Sequence, residues 1–365
     1  MNNSSVLGDL FEKNAIRINN GKIFQTQPQL SSPISFDRIE GMLLGLCIGD
    51  SLGNTSEALF PQGRKERFGE ICDYLPNKHN KDLKKGLPSD DTQLAMWTLD
   101  QINLDKGLIP DNLAKRFCSS RIFGIGSTVR EFIKNYKDLK KKWFESGPHK
   151  AGNGALMRIA PIIIPHLRKP SINLWADTAI AAMVTHNDSA STSSCITFVK
   201  LLFEVMQITS IPKAEWWLNT ALETLRDVET KTIYELRENP NYPNWTGTLS
   251  DFVEKTVTEA YKNNVSVVDA CNKWYSGAYI LETFPSVLYI LMRYAHSFEE
   301  AIIRAVNDTK DNDSVASIVG AIMGALHGKK KIPSRWIENL SGRTTGFDDG
   351  RVFQIIEDTK RIWFE

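Results

Sequence analysis

From Asp37 onward apolar residues recur every three to four positions, and Ile172 to Val184, Ala190 to Gln207 and Ala214 to Asp227 carry the longest such stripes. Alternating Val, Ile and Thr runs that would make strands are few, so the body is predicted to be mainly α. Residues 1–36 differ. They are rich in Asn, Gln and Ser, contain Pro28 and Pro33, and show only a short apolar patch at Val6, Leu7, Leu10 and Phe11. They read as an arm outside a main domain of residues 37–365. The stretch Glu238 to Asp251, with its Pro, Asn and Gly, is predicted to be a long loop. Pro333 suits a helix start, and a last helix is predicted through Val352 to Ile362.

Two predicted helices carry glycine at every fourth position: Gly41, Gly45 and Gly49 in one, Gly320, Gly324 and Gly328 in the other. Glycine costs a helix about 1 kcal/mol per position relative to alanine, so three on one face need a reason. Close approach of another helix supplies it. The apolar runs are too short for a membrane dimer and end in acids.

Composition narrows the function classes. Of 365 residues, 42% are apolar and 24% charged, as in ordinary globular chains. The net charge of +1 provides no global field for nucleic acid or an anionic membrane. The basic runs Lys140 to Lys142 and Lys329 to Lys331 read as solvated helix ends. The N-terminus has no signal-peptide pattern and the five cysteines are scattered without a C-x-x-C pair, so a reduced, cytoplasmic protein without disulfides or zinc is expected.

The candidate chemistry is acidic. In "KGLPSDDTQ", Pro88 keeps the preceding backbone out of the helical region, and Ser89 or Asp90 can cap the helix that follows. In "NDTKDNDSV", Asp308, Asp311, Asp313 and Ser314 stand before the second laddered helix, more acids than capping needs. If the two helix starts converge, Ser89, Asp90, Asp91, Asp311, Asp313 and Ser314 form an all-oxygen cage that repels itself without cations. Such ligands favour Mg²⁺, Mn²⁺ or Ca²⁺ over zinc. An EF-hand is excluded because "DNDS" lacks the central Gly and terminal Glu of that loop. A helical histidine-aspartate phosphohydrolase is excluded because none of the six histidines is followed by Asp.

Six blocks in order, "GMLLGLCIGDSLGNTSE", "SDDTQ", "GIGST", "AGNGALMRIAPI", "VTHNDSA" and "DNDSVASIVGAIMGALHG", resemble the ADP-ribosylglycohydrolase family, which includes dinitrogenase reductase-activating glycohydrolases and ADP-ribosyl-arginine hydrolases. The resemblance spans roughly Asp37 to Leu340. It implies an all-α fold, a compact orthogonal multi-helix bundle with a binuclear metal cleft holding two Mg²⁺ or Mn²⁺ ions. It implies Ser89, Asp90, Asp91, Asp311, Asp313 and Ser314 as metal ligands, with Asp50 behind them. Glu57, Asp91 and Asp313 would be catalytic. Gly126, Ser127, Asn153, Gly154, His186 and Tyr279 would bind substrate, with Gly152, Gly154 and the "GIGST" loop approaching a pyrophosphate. Phe284 is a further candidate for the cleft wall.

The activity so implied is removal of ADP-ribose from a modified protein side chain, arginine first. The alternative is an immunity protein that blocks an ADP-ribosyltransferase toxin through the N-terminal arm, with or without hydrolysis. Three positions depart from the family pattern. Lys310 stands where a small glycine is usual, Asn312 where Thr is frequent, and Gly124 where one branch has an aspartate that assists proton transfer.

Overall fold

The computed structural model describes residues 2–57, 59–81, 83–237 and 239–365. Helices dominate, many started by a polar side chain that accepts a backbone N–H, as at Asn2, Ser35, Ser89, Asp188 and Ser297. The first half contains α1 (Asn3–Glu12), α2 (Phe36–Gly53), α3 (Pro61–Phe68), α4 (Asp90–Asp105), α5 (Pro110–Phe117), α6 (Ser127–Ile133), α7 (Trp143–Ser146), α8 (Asn173–Met183) and α9 (Ser189–Val205). The second contains α10 (Ala214–Val228), α11 (Leu249–Lys262), α12 (Val267–Lys273), α13 (Ile280–Tyr294), α14 (Phe298–Asp308), α15 (Asn312–His327), α16 (Ser334–Glu338) and α17 (Arg351–Trp363). A short antiparallel ribbon pairs β1 (Tyr234–Glu235) with β2 (Thr246–Gly247). Among the described residues, no helix is long and apolar enough to cross a membrane.

The three long predicted stripes become α8, α9 and α10, and the last predicted helix becomes α17. Pro333 immediately precedes α16. The predicted loop is shorter than expected. Glu238 lies outside the described residues, and Thr248 already caps α11 through Asp251, each side chain accepting from the other's backbone N–H.

The glycine ladders meet each other. α2 and α15 run antiparallel, backbone against backbone, at the centre of the bundle, both buried on nearly every side. A Cβ at Gly45 would lie 2.1 Å from the Gly320 carbonyl oxygen, and one at Gly324 would lie 1.9 Å from that of Gly41. At Gly49 it would meet the Ala316 oxygen at 2.0 Å, and at Gly53 the Asp313 Cα at 2.5 Å. The contact therefore runs to the helix ends that carry the acids. Gly328 has left the helix. Its φ of +78° ends α15, and a Cβ there would strike the Asp37 carboxylate at 2.0 Å.

Residues 3–24 do not stand apart as the sequence suggested. Asn3, Leu7 and Leu10 of α1 are buried, as are Ile16, Ile18, Ile23 and Phe24. Asn3 Nδ2 donates to Asp177 Oδ1 at 2.5 Å and to Leu108 O at 3.0 Å. Asp227 accepts from the backbone N–H groups of Lys22 and Ile23 at 2.9 Å each. Beyond the short patch of α1, these apolar residues follow no helical period that would have announced their burial. The packing removes the motive for reading the segment as a free arm that reaches a toxin.

Replacing Gly320 by Ala is expected to lower stability by about 1–3 kcal/mol through overpacking, even though alanine adds roughly 1 kcal/mol of helix propensity. Urea denaturation of the two proteins measures the difference.

Candidate active site

The site grows from two helix starts. At α4, Ser89 Oγ accepts from the Asp91 N–H at 3.2 Å. A second cap is remote: the Asp50 carboxylate, near the end of α2, accepts from the N–H groups of Ser89 and Thr92 at 3.0 Å each. At α15, Asp311 stands in the cap position, but its side chain makes no capping bond. It accepts instead from Asn153 Nδ2 at 2.6 Å. Both helices thus point the positive end of their dipole at the acids they carry.

The two starts converge. Oxygens of Asp50, Asp91 and Asp313 lie within 4.8 Å of one another, and so do oxygens of Glu57, Asp311 and Asp313. Asp313 belongs to both groups. Asp50, expected behind the ligands, therefore reaches the cluster itself. Ser89 Oγ lies 3.1 Å from Asp91 Oδ2, and Ser317 Oγ, unforeseen in the sequence, bonds Asp91 Oδ1 at 3.1 Å. Asp90, Asp91, Asp311, Asp313 and Ser314 face one cleft. Asp308 does not join them; it pairs with Arg304 at 3.4 Å.

Burial pushes all these carboxyls up. Asp91 and Asp313 rise well above the usual range, by desolvation first and then by neighbouring carboxylates. Asp90 is pushed up to about 8 by the same two causes, and Glu57 rises by burial and by Asp311 and Asp50. Asp50 and Asp311 rise by burial, against the bonds they accept. Among the described residues none of Asp50, Asp91 and Asp313 forms an ion pair with Lys or Arg. An all-oxygen donor set, buried, adjacent and unneutralised, fits hard divalent cations.

Lys310, a departure from the family pattern, is seated on aromatic side chains. Its ammonium donates to the Tyr275 hydroxyl and lies 4.1 Å from the Tyr275 ring centroid and 4.8 Å from that of Phe60. Asn312 is buried and donates to Ser56 Oγ and Val306 O at 3.0 Å each. Gly124 adopts φ +49°, and a Cβ there would sit 3.1 Å from Asp90 Oδ1.

The cleft encloses about 430 Å³ and is also lined by Gly126, Ser127, Asn153, Gly154, His186 and Tyr279. That volume lies within the roughly 300–1,000 Å³ usual for small-molecule sites. Phe284 is not there; it is fully buried in the core. Gly152 and Gly154 have a use the sequence did not disclose. Cβ atoms on them would lie 3.2 Å and 2.9 Å from the His186 ring, so the glycines seat that ring. Arg158, buried, donates through Nη2 to Thr185 Oγ1 at 2.7 Å, and the hydroxyl is left to donate to His186 Nδ1 at 2.9 Å. This assigns the hydrogen of a neutral imidazole to Nε2, beside the cleft. Burial and Arg158 push the His186 pKa down to about 3, which keeps the ring neutral.

Arg64 ties the two halves of the site together. Fully buried, it donates to Ser56 Oγ at 3.1 Å and Leu59 O at 2.9 Å, on either side of Glu57, and to Thr309 O at 2.7 Å ahead of Asp311. Its position, eight residues beyond Ser56 in a polar helix, gave no sign of this.

Residues 31–360 match the family described as ADP-ribosylglycohydrolase. The chain belongs to the ADP-ribosylglycohydrolase family. It is 27% identical to the ADP-ribosylarginine hydrolase Tri1 of Pseudomonas putida, over 84% of this chain and 75% of that protein. It is 25% identical to the ADP-ribosyl-[dinitrogen reductase] glycohydrolase of Rhodospirillum rubrum, over 85% and 92% of the two chains. A solved ADP-ribosylglycohydrolase-related protein complex shares the fold with a TM-score of 0.65 at 24% identity, covering 90% of this chain and 99% of that one.

Carboxyls raised in the folded state bind protons there that the unfolded chain, with carboxyls near pH 4, has lost. The contribution of these carboxyls to the stability of this ADP-ribosylglycohydrolase in EDTA is therefore expected to be fully present below about pH 4 and to be lost as pH rises through about 8, the value for Asp90. Excess Mn²⁺ takes the place of the protons and removes the fall; thermal melts at pH 5.5 and 8.0 check both. Arg64→Lys keeps the charge but not the fork, and about tenfold weaker Mn²⁺ binding is expected by calorimetry.

Proposed function

We propose that the protein hydrolyses the bond between ADP-ribose and a modified protein side chain, with arginine as the acceptor. The observation that carries this reading is the pair of carboxylate groups sharing Asp313 at the floor of a cleft. The relative named as an ADP-ribosylarginine hydrolase supports the choice of acceptor. Asp91, Asp311 and Asp313, with Ser89, Asp90 and Ser314, would hold two divalent cations, Mg²⁺ or Mn²⁺. When bound, such ions supply positive charge beside the breaking bond and lower the pKa of water.

The chain's own groups do the rest. The C1″ to nitrogen bond breaks with its electron pair passing to nitrogen, a water oxygen bonds to C1″, and one proton of that water ends on the leaving nitrogen. Glu57 sits at the cleft mouth with its pKa raised, which suits a carboxyl that takes the water proton and returns it to the leaving group. Asn153 fixes Asp311 by its 2.6 Å bond. His186, neutral with Nε2–H beside the cleft, donates to a ribose or phosphate oxygen. Gly126 and Ser127 open α6 at the same wall and Tyr279 borders the cleft, so these residues would hold the ADP portion.

Release of free ADP-ribose from an arginine-modified protein, followed by chromatography with and without Mg²⁺ or Mn²⁺, tests the proposal. Glu57→Gln is expected to lower kcat by about 10²–10⁴-fold with KM little changed. Asp313→Asn is expected to abolish both release and metal binding. No release at any metal concentration, or a wild-type rate from Asp313→Asn, ends the reading.

A further inference from the structure

Glu57 and Gly124 border two clefts, not one. The second encloses about 670 Å³ beside Glu57, between residues 77–79, 87–89, 120–124 and 343–347. We infer that this second cleft receives the acceptor segment of the modified protein, and that Arg121 selects acidic residues flanking the modified side chain. The inference rests on the hydrolase reading and extends it to the substrate's protein half.

Position is the first reason. A bond that breaks beside Glu57, with ADP-ribose in the cleft of His186 and Asn153, has its leaving group directed past Glu57 into the neighbouring depression. Rigidity is the second. Gln93 of α4 is buried; its Nε2 donates to Arg121 O at 3.1 Å and Thr344 O at 2.7 Å, while its Oε1 accepts from Phe123 N at 2.8 Å. One amide thus ties two of the walls of the second cleft, 120–124 and 343–347, to the helix that begins with Asp90 and Asp91. The 343–347 wall is braced again by Asp348, whose carboxylate accepts from Thr344 N at 2.8 Å and Thr345 N at 2.6 Å. A wall tied this closely to the reacting centre can hold a peptide in register with it.

Charge is the third reason. Arg121 is exposed and has no ion-pair partner among the described residues. Arg343 stands in the same cleft, bonded to Asp349 at 2.7 Å, and Lys85 approaches that aspartate at 3.8 Å. Lys78, Lys81 and Lys84 are exposed on the segment that borders the cleft, whose own acid, Asp82, lies outside the described residues. Among the described residues that line the cleft, Arg121 and Arg343 stand against one carboxylate, Glu57, at the reacting end. A cationic arginine acceptor meets Glu57, and its neighbours in the peptide meet a positive wall. Phe347, fully exposed at 102%, offers an apolar contact on the same rim.

Two peptides with the same ADP-ribosylated arginine, one flanked by Asp and Glu and the other by Lys, test the inference with the full-length Mn²⁺-loaded enzyme. The acidic peptide is expected to show about threefold to fivefold higher kcat/KM at low ionic strength, shrinking as salt is added. Arg121→Glu is expected to invert the order. The ratio is the readout, because a general loss of activity leaves a ratio unmoved. Equal kcat/KM values, or an order that Arg121→Glu leaves in place, overturn the inference. Free ADP-ribosylarginine, which has no flanks, separates the two levels: its cleavage without any peptide preference removes this inference alone. Failure to cleave it or either peptide removes the hydrolase reading and this inference with it.

Discussion

The contact between α2 and α15 governs everything built around it. Side chains normally keep helix axes 8–10 Å apart and leave some freedom to slide. Here carbonyl oxygens stand where Cβ atoms would be, so rungs Gly41, Gly45 and Gly49 can face only Gly324, Gly320 and Ala316. That register sets Gly53 against Asp313, and with it the placing of Asp50 and Glu57 beside the α15 acids. Each glycine costs about 1 kcal/mol of helix propensity, offset by the dispersion contacts of two closely packed backbones.

The acids place an opposite demand on the fold. Carboxylates so close repel, and burial removes the water that would relieve them. The protein answers with two converging helix starts, with backbone N–H groups on Asp50, and with the Asn153 amide on Asp311. The neighbouring cations are kept off the carboxylates. Arg64 is spent on carbonyls and a hydroxyl, and Lys310 on an aromatic seat. What remains is negative charge reserved for ligands, beside a histidine that Arg158 and Thr185 keep uncharged.

Much of this was legible before any coordinates. The four-residue glycine period announced a backbone contact, and the acids before α15 exceeded what capping requires. The helix stripes named α8, α9 and α10 to within two residues. What escaped had no local signature. Asp50 caps a helix that begins forty residues further on, a relation no short window contains. Gly152 and Gly154 looked like a phosphate cradle because the ring that needs the space, His186, is distant in sequence. Residues 3–24 looked like a loose arm because the groups that receive them, among them Leu108, Asp177 and Asp227, are distant in sequence.

The long separation of α2 from α15 bears on how the molecule is made. A ribosome releases α2 well before α15, so until α15 emerges the glycine face of α2 has no partner. Its carbonyl-lined groove and the lone Asp50 must then be shielded by other nascent helices or by a chaperone. Charging with cations must wait until the α15 acids have emerged, which makes the acidic centre a late assembly and not a seed for folding.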